Sequence, residues 1–321
     1  MNKVNLCWVI SDGRKGHEIQ SQSLAERISN SSTTYTFDLK QPWKLFAPKL
    51  LPVFDHATLW AEAKQPDLSH RPDLIVTAGR QAAAVGKHLR KKLKHKGVKT
   101  KHIHIMNPKD NPDNYDLLLL PAHDGKNGDK VVTFFGSLHP FDSTWYRSAP
   151  ARPAKFPTIA LVIGNPSGNY FDQDFCDELE KIRRQHPDTG LLVCGSPRLQ
   201  ESSIQRIKKQ LKGDDQYWLN PQDGDNPYQD ILRYAQHIYV TADSINMINE
   251  CASSEAQLSI LAKTHVTSKK HLKFIQSIND RLTDFSTSQA SQPTPIRGID
   301  EVIADDKLQK LLNSPTSSSS G

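Results

Sequence analysis

Long hydrophobic runs are missing from this chain. The longest, such as Leu117–Leu120 and Ile159–Ile163, fall far short of the roughly 20 apolar residues that span a bilayer. No charged leader with an apolar core and a small-residue cleavage site opens the sequence, and no Arg-rich amphipathic transit pattern is present. The expectation is a cytoplasmic protein, at most peripheral on the inner face of a membrane. Cysteine is scarce. The four residues, Cys7, Cys176, Cys194 and Cys251, are scattered and form no C-x-x-C pair, which argues against a zinc site or a disulfide framework and for reduced thiols. Metal-ligand spacing is absent too. His123, Asp124 and His139 have no obvious third ligand, and His102 and His104 alternate along one strand, so no metal is expected.

With 321 residues, 36% hydrophobic and 24% charged, the chain reads as globular and long enough for two domains. The net charge of +6 is local. Lys87 to Lys101 carries eight cations (Lys87, Arg90, Lys91, Lys92, Lys94, Lys96, Lys99 and Lys101) and no acid, so the remainder of the chain is net −2. Arg90, Lys91, Lys92, Lys94 and Lys96 make up a candidate anion or membrane patch. The same run also fits a solvated helix end. No aromatic residue is interleaved in it, which argues against a nucleic-acid platform.

The organising stretch is Val9-Ile10-Ser11-Asp12-Gly13-Arg14-Lys15-Gly16-His17-Glu18. An apolar strand, residues 4–10, enters a glycine-bearing turn, and a helix over 17–29 follows. Strand, tight loop and helix start is the layout of a phosphate or nucleotide site, and equally of an ordinary turn with solvated polar residues. The glycines are spaced G-x-x-G, which is neither a dinucleotide fingerprint nor a P-loop. The spacing predicts a polar turn at Ser29–Thr34, a short strand Tyr35–Leu39 and an irregular stretch 40–70 with an apolar flap of Trp43, Phe46, Leu50, Leu51 and Phe54. Asp73–Arg80 repeats the strand-and-glycine pattern ahead of a helix Gln81–Leu93, and its continuous apolar character predicts a parallel sheet buried on both faces.

Residues 148–157 hold three prolines and read as a linker. The pattern then restarts, with strand Thr158–Ile163, loop Gly164–Asn169, a helix over 172–185 and further strands at 191–194, 217–219, 237–241 and 257–262. Asp243 or Ser244 can cap a helix running to Ala252. A helix over 266–283, a loop at 284–295, one last helix at 299–313 and a disordered tail at 314–321 complete the reading. The fold class is therefore α/β: two Rossmann-like domains, 1–150 and 157–285, facing across a cleft, then 286–313 as loop and terminal helix.

Several stretches together resemble one family. They are the opening stretch, Val76–Arg80, Pro121–Asp124, Gly136–His139, Ile163–Ser167, Asn226-Pro227-Tyr228 and Val240–Glu250. In this order, over about residues 6–262, they are similar to the mitochondrial fission Elm ("elongated mitochondria") family of plants and many bacteria. The chain departs at Ser254-Glu255-Ala256-Gln257, where that family usually has a Gly-Lys-Pro-like turn. The resemblance extends to GT-B glycosyltransferases, which implies two Rossmann-like domains and a nucleotide-diphosphate sugar as substrate, with no tightly bound cofactor.

On that resemblance His17 is the candidate base for an unknown lipid-linked or envelope acceptor, with Gly13, Arg14 and Gly16 forming the acceptor-side wall. The nucleotide and phosphate candidates are Gly13, Arg14, Gly16, Gly164, Asn165, Ser167, Gly168, Ser196, Arg198, Asp243, Ser244, Asn246, Met247 and Glu250. Among them the Ser244 helix start would take the diphosphate and Glu250 the ribose, while capping by Asp243 or Ser244 needs no ligand. Arg80, His123, Asp124, His139 and Asn226 are further cleft candidates. A non-catalytic adaptor for a membrane or a dynamin-like partner is the alternative that the resemblance leaves open.

Overall fold

The computed structural model describes residues 2–49, 58–60, 65–284 and 294–315. It divides the chain into two compact units, 1–142 with 298–321, and 143–297. The division falls just ahead of the proline-rich stretch. Tyr146 is held to the second unit by a hydroxyl contact with Ser253 at 2.9 Å, and the Tyr234 hydroxyl donates to the carbonyl of Pro150 at 2.9 Å.

The first unit runs β1 Val4–Ser11, α1 Lys15–Ile28, β2 Ser29–Leu39, α2 Trp43–Phe46, β3 Thr58–Trp60, β4 Leu74–Ala78, α3 Arg80–His95, β5 Lys101–Ile105, β6 Leu117–Pro121 and β7 Val131–Phe134. The sheet order is β3-β2-β1-β4-β5-β6-β7, with β3 antiparallel to β2 and the other pairings parallel. Strand side chains alternate between faces. Cys7 and Val9 therefore join one apolar cluster with Leu24, Ala25 and Ile28 of α1, and Trp8 and Ile10 join another with Ala82, Val85 and Leu89 of α3. Burial on both faces explains the unbroken apolar character of β4 and β6.

The polar turn expected at Ser29–Thr34 is not there. β2 starts at Ser29 and runs parallel to β1, with Val4 opposite Ser29 and Ser11 opposite Thr36. The ladder supplies the backbone partners, and the side chains of residues 30–33 face solvent, so serine and threonine content did not break the strand. The described part of the 40–70 stretch holds α2 and β3; Leu50, Leu51 and Phe54 of the expected flap lie outside the described residues.

The second unit runs α4 Ser143–Arg147, β8 Ile159–Ile163, α5 Gly168–Gln173, α6 Phe175–Gln185, β9 Leu191–Gly195, α7 Glu201–Gln210, β10 Gln216–Trp218, α8 Tyr228–Tyr234, β11 His237–Thr241, α9 Ile245–Ala252, β12 Gln257–Leu261 and α10 Lys269–Ser277. Its sheet is wholly parallel in the order β10-β9-β8-β11-β12. The single helix expected over 172–185 is two, meeting at Asp174, whose carboxylate accepts from His265 at 2.7 Å and Thr264 at 3.2 Å. The helix expected over 266–283 is shorter, starting where Ser268 caps α10 and ending at Ser277. At the departure Ser254–Gln257, buried Arg281 donates to the carbonyls of Ala252, Ser254 and Ala256 at 2.8–2.9 Å, so an arginine from outside the turn satisfies its backbone.

Much of the expected loop 284–295 and nearly all of the tail 314–321 lie outside the described residues. Between them the chain returns to the first unit as α11 Gly298–Ala304 and α12 Asp306–Asn313. These are two helices rather than one, because Asp305 accepts from the backbone of Lys307 at 2.8 Å and caps a new start. Ile299, Val302, Leu308 and Leu312 pack into the same cluster as Val9 and Leu24. Lys101 of the basic run is spent here, donating to the carbonyls of Leu311 at 2.7 Å and Ser314 at 2.5 Å. Leu308→Ala removes a fully buried side chain from this cluster and is expected to destabilise by about 2–5 kcal/mol, measured by urea denaturation of the full chain.

Candidate functional sites at the two switch points

In a parallel sheet every strand ends on the same edge. Where neighbouring strands send their chains to opposite sides, a crevice opens at that edge. The first sheet has such a point between β1 and β4, since the chain winds one way through β2 and then starts again on the other side of β1. The second sheet has its own between β8 and β11. The polar loops singled out in the sequence end these four strands.

At the first switch point, Gly13 has φ +73°, which glycine adopts without strain. Gly16 differs; it lies in the first turn of α1. The turn is tied by Ser11, whose hydroxyl accepts from Gly13 N at 3.1 Å and donates to Glu18 at 3.1 Å. His17 points its Nδ1 at Asp12 Oδ1, 3.1 Å away, and the Asp12 side chain is 3% exposed. In the neutral tautomer that donates from Nδ1 to this carboxylate, Nε2 keeps its lone pair. Arg14 is exposed, 3.8 Å from Asp12. The other wall is Gly79, with φ 81° and ψ 159°, a region essentially confined to glycine. A Cβ at Gly79 would lie 2.4 Å from the His17 ring. Asp12 and Gly79 therefore fix the histidine from both sides, and neither was singled out from sequence. Asp12 was legible as the acid opening Asp-Gly-x-x-Gly-His.

Below this loop Thr77 bridges two buried histidines, His102 Nε2 at 2.9 Å and His104 Nδ1 at 2.7 Å. Burial holds both neutral, lowering His104 to about 3 and His102 well below its ordinary value. Among the described residues the side-chain partner of His17 is Asp12, and the remaining first-unit candidates have contacts of their own. The Arg80 guanidinium donates to the carbonyl of Ala47 at 2.5 Å. His123 and Asp124 follow β6 and stand 3.8 Å apart. His139 is buried in a loop, its Nδ1 accepting from Phe141 N at 3.3 Å.

At the second switch point, Asp243 holds the β8 loop. Its carboxylate accepts from Asn165 N at 2.7 Å and from Thr241 Oγ1 at 2.7 Å, while that hydroxyl accepts from Gly164 N at 2.8 Å. A Cβ at Gly164 would lie 2.4 Å from the carboxylate, so the glycine is needed for this approach. Asp243 thus supports the backbone of this loop. Ser244 caps α9, accepting from Met247 N at 3.5 Å, and Asn246 on the first turn is exposed. Ser167 Oγ lies 3.4 Å from His265 Nδ1, just ahead of Gly168 at the start of α5.

Ser196 accepts from Arg198 N at 3.1 Å, and the Arg198 side chain is exposed. Glu250, on α9, accepts from the Tyr228 hydroxyl at 2.6 Å, and Asn226 Oδ1 accepts from Tyr228 N at 2.9 Å. Poor solvation raises Glu250 from 4.5 to about 7, against the lowering effect of the Tyr228 hydrogen bond. Among the described residues no three His, Cys, Asp or Glu side chains gather as a metal site.

Two α/β units, each with a mainly parallel sheet and polar loops at its switch point, have a GT-B-like fold. Solved structures of low identity share the fold. They include a UDP-N-acetylglucosamine 2-epimerase (TM-score 0.50, 15% identity, covering 100% of both chains). MurG of Acinetobacter baumannii matches with TM-score 0.50 and 10% identity, covering 97% of this chain and 91% of its own. UGT89C1 of Arabidopsis thaliana matches with TM-score 0.50 and 12% identity, covering 97% and 93%.

Within that class the chain belongs to the mitochondrial fission ELM1 family, whose model matches residues 15–302. An uncharacterised protein of Rickettsia prowazekii is 26% identical over 84% of this chain and 87% of its own length. Mitochondrial fission protein ELM1 of Arabidopsis thaliana is 24% identical over 68% of this chain, and the match spans 58% of the plant protein.

Two predictions follow from the geometry. Gly79→Ala forces both φ and the His17 ring to shift and is expected to cost about 1–3 kcal/mol, read by thermal denaturation. For Glu250 the folded carboxyl binds its proton more tightly than the unfolded one. Its stabilising contribution is complete below pH 4.5 and is lost as pH rises through about 7. Glu250→Gln keeps an acceptor for Tyr228 without the charge. Its melting temperature relative to the unsubstituted protein is expected to rise between about pH 5 and pH 8; an unchanged difference would mean the carboxyl is well solvated.

Proposed function

We propose that this ELM1-family protein is a glycosyltransferase that uses a nucleotide-diphosphate sugar and acts on a hydroxyl of a cell-envelope or lipid-linked acceptor. The observation that carries the proposal is the Asp12–His17 pair at the first switch point, with Nδ1 held and Nε2 left as a proton acceptor. Asp12 stabilises the imidazolium that forms when His17 takes the acceptor proton. As that O–H proton leaves, the acceptor oxygen bonds to the sugar's anomeric carbon and the bond to the diphosphate oxygen breaks, its electron pair going to the leaving group.

The second unit supplies the nucleotide roles in this reading. The N-terminus of α9, where the helix dipole favours anions, takes the developing diphosphate charge, and exposed Arg198 adds a cation. Glu250, oriented by Tyr228, takes a ribose hydroxyl. The GT-B-like fold and the catalytic kinds of its structural neighbours support the reading.

Calorimetric titration with uridine and other nucleoside diphosphates tests it. Glu250→Ala is expected to weaken binding about tenfold, the loss of one hydrogen bond to a charged group. His17→Ala is expected to leave the affinity unchanged and abolish sugar transfer. If no nucleoside diphosphate binds, and Glu250→Ala is silent, the proposal is wrong.

A further inference from the structure

We infer that the first unit carries a second anion site, a pocket for a phosphate-bearing small ligand, on the sheet edge opposite His17. It lies where α3 ends and β5 begins, at the N-terminal edge of the strands. A cavity of about 710 Å³ opens there, lined by Lys87, Arg90, Lys91, Lys94 and Lys99 with Asp113 among its walls. That volume falls in the range of pockets that hold whole small molecules, about 300–1,000 Å³.

The five cations divide into a frame and a free set. Lys87 is paired with Asp110. Arg90 is paired with Asp116 at 2.7 Å and donates to the carbonyl of Thr100 at 3.0 Å. These two hold α3 against β5 and the segment before β6. Lys91, Lys94 and Lys99 are exposed and have no ion pair among the described residues. The acid in the lining, Asp113, is neutralised by Lys130 at 2.9 Å. The excess positive charge in the pocket is thus uncompensated.

Capping the helix does not account for the lysines. The last carbonyls of α3 are met by backbone N–H groups, with Lys96 N on Leu93 O at 3.0 Å, Gly97 N on Lys94 O at 3.0 Å and Val98 N on Leu93 O at 2.9 Å. Gly97, at φ +76°, makes that turn. The ammonium groups are left for an anion. No aromatic side chain is among the lining residues, so nothing is provided for a base to stack on. The ligand class is therefore a non-nucleoside phosphate, free or on a lipid headgroup, with at least two negative charges to meet three lysines.

The pocket also divides the basic run of the sequence. Lys96 belongs to the run but does not line the cavity, which gives a charge-matched control. Calorimetry with inositol hexakisphosphate, and co-sedimentation with phosphatidylcholine vesicles with and without phosphatidylinositol phosphate, test the site on the full chain. The free phosphate binding, or only the lipid-borne one, supports the pocket and identifies the source. Lys91→Gln/Lys94→Gln/Lys99→Gln is expected to lose affinity about tenfold or more, while Lys96→Gln binds as before.

All these substitutions are at exposed surface positions, so folding is expected to survive them. The inference is overturned if neither probe binds, if the triple variant binds as tightly as the unsubstituted protein, or if Lys96→Gln costs as much as a pocket lysine. The readout does not involve His17 or nucleotide, so it stands or falls separately from the transferase reading.

Discussion

The structure depends on reversal of winding direction in two parallel sheets. Parallel strands deliver all their outgoing loops to one edge, and a reversal separates two neighbouring loops enough for polar groups to stand between them. In the first sheet this brings the ends of β1 and β4 together, and in the second those of β8 and β11. Residues far apart in sequence, such as His17 and Gly79, or Gly164 and Asp243, meet for that reason alone.

Both switch points are built the same way. An acid near the end of a strand accepts loop hydrogen bonds, and a glycine nearby makes the close approach sterically free. Asp243 orders the backbone of Gly164 and Asn165 through direct contacts and through Thr241. Asp12 orders a side chain instead, His17, with Gly79 as the missing bulk behind the ring. The difference matters chemically, because one arrangement leaves backbone amides in place and the other leaves an imidazole nitrogen in place.

The parallel, doubly covered sheets were legible in the sequence because each strand is an unbroken apolar run closed by a polar loop. β11 and α9 fall where the pattern of His237–Ala252 puts them. β2 was half hidden, since its first residues, Asn30–Thr33, are exposed on the part of the strand that pairs with β1 alone. Helix breaks at Asp174 and Asp305 were hidden because each depends on what one carboxylate accepts. His17 and Glu250 stood out by residue type and place, whereas their partners did not. Asp12 was assigned no role beside a histidine five residues on, and Tyr228 was read as part of a motif rather than as the donor to Glu250. The second contact, between residues 22 apart in sequence, follows from topology and not from local pattern.

The return of α11 and α12 to the first unit has a consequence for how the chain is made. Synthesis proceeds from the amino end, and the whole of 143–297 emerges before Ile299, Val302 and Leu308 can close over Val9 and Leu24. The strands of the first unit therefore wait longer for their final cover, and the second unit, continuous in sequence, is the part that can complete its core first.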